Sequence, residues 1–87
     1  MRLARVKGTV TATAKPDSLT GRSLLLVDIV DADDTTIEAA QVAVDACGAG
    51  TGDLVLLAQG SAARLSADTS GAPIDCAVIA VVDSVDQ

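Results

Sequence analysis

Few of the 87 residues are of types that do chemistry, and the segment Gly48-Ala49-Gly50-Thr51-Gly52-Asp53 stands out first. Glycine-rich loops hold phosphates by presenting bare backbone N–H groups at the start of a helix. This loop instead runs into Leu54-Val55-Leu56-Leu57, a strand pattern, and has no Gly-Lys-Ser/Thr of a P-loop. The stronger reading is structural: glycines permit positive φ and let another backbone approach closely, as in a tight turn at a subunit contact. Cys47 and Cys76 have the types of a reactive thiol or a redox pair, but the chain contains no His to activate either. Cys76 also alternates with apolar positions, so both are expected to be small buried hydrophobes. Asp45, Asp53, Asp75 and Asp83 each stand at a strand edge, where capping a turn is the simpler role for a carboxylate than acid–base catalysis. The acids of Asp31-Ala32-Asp33-Asp34-Thr35-Thr36 begin like a calcium loop. Thr36 occupies the place of the tight-turn Gly and Val42 that of the bidentate Glu, so the pattern fails and a polar loop is expected. Arg64, the one cation after residue 22, follows Gly60-Ser61-Ala62-Ala63. Its planar fork suits a carboxylate on its own or a neighbouring chain.

Missing residue types narrow the function further. Without His there is no imidazole base and no Ser-His-Asp or Cys-His system, and a zinc site lacks its usual ligands because no CxxC pair is present either. Without Phe, Trp or Tyr there is no platform on which bases or sugars could stack, and a net charge of −6 opposes phosphate binding over the whole surface. No cofactor, nucleic acid or enzymatic role is expected. The charge is divided: residues 1–22 carry five cations against Asp17, net +4, and the remainder carries eleven acids against Arg64, net −10. Opposite-sign regions suit head-to-tail contact between copies, or are simply solvated surface. Apolar residues make up 49%, but 16 of the 43 are Ala. A chain this short buries only roughly 60% of its unfolded surface, so the core needs a supplement, and self-association is the leading one. The longest apolar run, Ala77 to Val82, is far below a membrane span, and a cytoplasmic protein with no membrane partner is expected.

The elements that would position these residues are strands. Residues 2–13 alternate, with Ala4, Val6, Val10 and Ala12 on one face, Arg5, Lys7, Thr9, Thr11 and Thr13 on the other, and a bend or bulge expected at Gly8. The turn residues Lys15 to Gly21 lead to Ser23–Val30, where Leu25, Val27 and Ile29 would face the core and Leu24 and Leu26 away from it. A strand apolar on both faces requires a second layer, from a helix or from a neighbouring subunit. Ala40–Ala46, with Val42 and Val44 alternating, is a third strand, Asp53–Gln59 a fourth and Asp75–Val85 a fifth, its faces Cys76, Val78, Ala80, Val82 and Ala77, Ile79, Val81. Between the last two, Gly60–Ser66 has room for one helical turn with Ser61 as N-cap, and Ser66–Pro73 reads as loop. The prediction is an all-β fold, a small five-stranded barrel with a short helical turn, as one domain over residues 1–87.

Taken together, the segments resemble the EutN/CcmL family of bacterial microcompartment vertex proteins. The resemblance runs in order through Gly8-Thr9-Val10, Thr13-x-Lys15, Leu19-x-Gly21-x-x-Leu24-Leu25, Asp45-x-x-Gly48-Ala49-Gly50-x-Gly52-Asp53-x-Val55-Leu56, Gly60-Ser61-Ala62-Ala63-Arg64, Pro73-x-Asp75 and Val81-Val82-Asp83. The GAGxGD loop followed by GSAAR at this spacing is the specific part. Where many members have two serines after the Gly, this chain has Ser61-Ala62. The resemblance implies an OB-like barrel assembled as a cyclic homopentamer that caps the five-fold vertices of a polyhedral shell, beside hexameric or trimeric shell proteins. It also implies that Gly48, Ala49, Gly50, Gly52, Gly60, Ser61 and Arg64 lie near the ring axis or subunit contacts. Leu24 and Leu26, the outward leucines of the second strand, are further interface candidates. Five-fold symmetry needs two different complementary surfaces on each subunit. The alternative is a small OB-like ligand-binding module without a shell role.

Overall fold

The computed structural model describes residues 1–13, 15–19, 21–65 and 73–87. Five strands, β1 (Arg2–Val10), β2 (Leu24–Val30), β3 (Thr36–Asp45), β4 (Leu54–Gln59) and β5 (Cys76–Val81), close into a barrel in the order β1-β2-β3-β5-β4. Two 3₁₀ turns join them, η1 (Asp17–Leu19) before β2 and η2 (Gly60–Arg64) after β4. All neighbours are antiparallel except β3 and β5, which run parallel over only two pairs, Val44 with Ala77 and Asp45 with Val78. This is a closed five-stranded barrel of the OB type, and the all-β prediction holds.

Alternation explains which residues fill it. Ala4, Val6, Leu25, Val27, Ile29, Ala43, Val55, Leu57, Cys76 and Val78 form one buried cluster inside the strands. Val27, Ile29, Val55, Leu57 and Val78 are each 0% exposed. Ala, Val, Leu and Ile suffice because a barrel of so few strands has an interior only side chains wide. Outside this wall a second cluster of Val44, Ala63, Ile74 and Ala77 packs with Leu19 and Leu24. The chain thus makes its own second layer for part of the outer face of β2.

The expected bulge at Gly8 is present, because β1 steps from Val6 to Gly8 while β2 steps from Val27 to Leu26, leaving Lys7 as the extra, exposed residue. Other boundaries differ from the sequence reading. β3 begins at Thr36 rather than Ala40, and Thr36–Ala40 are all exposed. This arm buries no face, since it is held as a hairpin by pairing with β2 alone, through two register shifts. Ala40 sits at φ 60, its N–H donating to Asp28 Oδ1 at 3.0 Å. Val42 and Val44 do not share a buried face: Val42 is 49% exposed, Ala43 enters the barrel and Val44 joins the outer cluster. β5 ends at Val81, although the Val82 N–H still donates to the Leu54 carbonyl at 2.8 Å. The loop expected over Ser66–Pro73 lies, up to residue 72, outside the described residues.

Candidate functional site

Strand β4 separates the two motifs singled out in the sequence. The glycine loop enters it and η2 leaves it, so across its six residues they stand about 17 Å apart at opposite ends of the barrel. They do not form one site within a subunit.

The glycine loop is built by local hydrogen bonds. Asp45 accepts from the N–H groups of Cys47 (3.1 Å) and Gly48 (3.0 Å). Asp53 accepts from Gly50 N–H at 2.8 Å, while its own N–H donates to the Gly50 carbonyl at 3.0 Å. These are the turn-capping roles expected of Asp45 and Asp53. Two backbone bonds then fix the loop to β1: Val6 N–H to the Asp53 carbonyl (2.9 Å) and Gly52 N–H to the Val6 carbonyl (2.8 Å). Ala49, half-buried, packs against the barrel core. Positive φ is needed at Gly48 (82°) and Gly52 (93°) but not at Gly50, where an added Cβ would meet only Asp53 Oδ2 at 3.9 Å. Within one subunit, therefore, neither backbone conformation nor crowding demands glycine at position 50.

Arg5 adds a clamp that the sequence reading missed. Its Nη1 donates to the Gly52 carbonyl at 2.9 Å while its Nε and Nη2 reach the Asp34 carboxylate at 3.3 and 3.2 Å. One side chain thereby ties the glycine loop to the tip of the β2–β3 hairpin. Arg2 pairs in the same way with Glu38 at 3.0 Å. Two of the N-terminal cations are thus neutralised within the chain, so the charge division is only partly available for contact between copies. Arg5 stands on the polar face of the alternating strand and Arg2 at its start, but nothing local names partners 29 and 36 residues away.

At the other end, Gly60 turns the chain at φ 63 and its N–H donates to the Asp75 carbonyl at 2.7 Å. The N-cap of η2 is Gln59, with no side-chain cap bond, so Ser61 lies inside the turn and exposed rather than capping it. Arg64 does not reach a carboxylate among the described contacts; Nη1 donates to the Ile74 carbonyl at 2.6 Å, locking η2 to the entry of β5. Ala63 is buried beneath it. Beside this lock, Met1, Ala58, Gln59, Ala62, Leu65 and Ile79 line an apolar groove of about 430 Å³. Met1 and Leu65 there are 86% and 82% exposed, unusual for large apolar side chains in a cleft. Ile79 reaches it because β5 steps from Ala80 to Val78 where β4 steps only from Leu56 to Leu57.

Of the two outward leucines of β2, Leu24 is taken into the outer cluster of its own chain. Leu26, half-buried, lies in a row with Gly8 and the exposed Val42. Cys76 is buried as expected, whereas Cys47 is exposed. Desolvation, only partial at Cys47, raises both thiols above their ordinary pKa, reinforced by Asp45 beside Cys47 and Asp75 beside Cys76, so neither is an activated nucleophile. No group of three or more metal-ligating side chains occurs among the described residues, and no helix there is long and apolar enough to cross a membrane.

A barrel whose loops are occupied with holding one another, and which exposes large apolar side chains along a groove, has features that suit a contact surface. The family model described as "Ethanolamine utilisation protein EutN/carboxysome" matches residues 1–83. The chain belongs to the EutN/CcmL family. It is 42% identical over 87 residues to the carboxysome shell vertex protein CcmL of Thermosynechococcus vestitus, covering 100% of this chain and 88% of the relative. It is 46% identical over 89 residues to the bacterial microcompartment shell vertex protein PduN of Salmonella typhimurium, covering 98% of each. Among solved structures, the GrpN pentameric microcompartment shell protein from Rhodospirillum rubrum superposes with a TM-score of 0.90 at 40% identity, covering 100% of this chain and 99% of that one. These EutN/CcmL relatives are named for a structural place in a shell and not for a reaction.

Proposed function

We propose that this protein is a structural shell protein whose homopentamers cap the five-fold vertices of a bacterial microcompartment. The observation that carries the reading is the near end-to-end match to shell vertex proteins, joined to the fold shared with a pentameric one. A flat layer of hexamers cannot close, and pentagonal units supply the missing curvature. Hexameric or trimeric shell proteins are accordingly its neighbours in the shell, and its place is the cytoplasm, in the wall of the compartment.

A cyclic pentamer needs a heterologous interface, so each subunit presents two unlike surfaces. The apolar groove beside Gly60, Ser61 and Arg64 suits one of them. The glycine loop, with Ala49 and Gly50, and the ridge of Leu26 and Val42 suit the other. Arg64 serves assembly by holding η2 in place, and Gly48 and Gly52 by shaping their loop. Gly50 is the position where a requirement for glycine would come from a neighbour.

Native mass spectrometry at micromolar concentration tests the reading. Five copies of an 8.6 kDa chain give a species of about 43 kDa. A clean monomer or hexamer would overturn it.

A further inference from the structure

The end of β1, the start of β2 and residues of their connection line an open cleft of about 280 Å³ outside the barrel core. Because Thr9 pairs with Leu25 and Val10 with Leu24, the chain leaves β1 and returns to β2 side by side. The loop between is anchored. The Leu19 N–H donates to the Pro16 carbonyl at 3.0 Å, the Arg22 N–H to the Leu19 carbonyl at 3.2 Å, and Gly21 turns the chain at φ 80. Leu19 itself packs against the outer apolar cluster, which fixes the loop to the barrel.

The lining is distinctive for so acidic a chain. Lys15 and Arg22 face the cleft with the hydroxyl residues Thr9, Thr11 and Ser23, over Leu24, and none of the described lining residues is acidic. Both cations are half-buried. Two cations lining one cleft give it a positive character that suits an anion. Donors remain for it. Lys15 Nζ donates to the Ala12 carbonyl, which leaves two of its three N–H groups. Arg22 already has a contact within the chain, but a guanidinium carries five N–H donors in a fixed fork. Three hydroxyls beside them can orient either way. A tetrahedral oxyanion matches this set, because each of its oxygens accepts from more than one donor.

We propose that the cleft binds a small oxyanion of the phosphate or sulfate class. All of its lining residues come from one subunit. Titration of the full-length protein with inorganic phosphate, at fixed low ionic strength balanced with chloride, follows the backbone amides by NMR. Saturable shifts confined to Thr9–Ala12 and Arg22–Leu24 are expected, with sulfate competing and acetate weaker. Lys15→Gln and Arg22→Gln should each weaken binding about tenfold, the loss of one charge-assisted donor set. Lys15→Arg should retain most of it, and Lys7→Gln, at an exposed cation outside the cleft, should leave it unchanged. Should Arg22→Gln disturb the fold, visible as changes across the barrel amides, Lys15→Gln alone carries the test. Shifts that grow linearly without saturating, or an equal loss in Lys7→Gln, would overturn the proposal, since either describes a diffuse counterion atmosphere.

Discussion

β3 is one strand with two kinds of support. From Ala43 to Asp45 it lies in the barrel wall, with Ala43 at 1% and Val44 at 5% exposure. From Thr36 to Ala40 it projects as one side of a hairpin whose residues are all exposed, held by ladder bonds and charged side chains. Arg2 holds Glu38, Arg5 holds Asp34, and Asp28 receives the N–H of Ala40. In the wall, stability comes from water excluded from aliphatic groups. In the arm it comes from polar contacts that water and salt compete for. The bulged, charged edge of the arm also discourages adventitious strand pairing where β5 does not cover it.

The sharpest way to break this contrast is to remove equal chemistry from the barrel core and from the arm. Leu57→Ala deletes a side chain with 0% exposure from the barrel core and should cost about 2–5 kcal/mol, read as a fall in the urea midpoint at matched protomer concentration. Ile37→Ala in the arm, where the residue is 55% exposed, should shift it by no more than about 0.5 kcal/mol. Comparable losses would mean that the arm is packed against something in solution, a neighbouring subunit being the first candidate.

A smaller effect with a different signature is expected for the clamp. Arg5→Ala removes an exposed ion pair and the bond to the Gly52 carbonyl, and should cost about 1 kcal/mol. The loss should shrink in high salt, because the ion-pair share is screened, and amide exchange should quicken in both the hairpin tip and the glycine loop. Faster exchange at the tip alone would show that Arg5 does not couple the two.

The same division sets what could be read from the sequence. Period-two alternation marks strands that have one face in the barrel, so β1, β2, β4 and β5 were legible to within a few residues, and with them the core of Leu25, Val27 and Ile29. Thr36–Ala40 buries no face, and its apolar positions, Ile37 and Ala39, are too few to mark a strand beside the acidic loop, so the sequence delimits the third strand only from Ala40. Val42 and Val44 misled for a related reason. Both point out of the barrel, but only Val44 is covered, by a second layer whose Ala63 and Ile74 arrive 19 and 30 residues later. The caps at Asp45 and Asp53 were legible because their partners lie within three residues. The Arg5 clamp and the Arg64 lock were not, since long-range polar contacts leave no periodic trace. Family motifs drew attention to these two loops without revealing that β4 holds them at opposite ends of the subunit.

Gly50 separates what the subunit needs from what the ring needs. At Gly48 a side chain would have to adopt φ 82, so Gly48→Ala should destabilise the subunit itself by about 1 kcal/mol. Gly50 has no positive φ, and a Cβ there would make only an ordinary van der Waals contact with Asp53, so Gly50→Ala should leave the subunit within about 0.5 kcal/mol of wild type. That small effect is what makes the variant informative. If the neighbouring subunit's backbone approaches Gly50 in the ring, a single methyl group there weakens the pentamer while each barrel stays folded, and native mass spectra at falling concentration show monomer appearing earlier than in wild type. Loss of the ring in Gly48→Ala would leave folding and contact entangled, but in Gly50→Ala it reports contact alone. An unchanged ring with Gly50→Ala and Gly50→Val would move the interface away from this loop, leaving the groove beside Leu65 and the ridge of Leu26 and Val42 as its two faces.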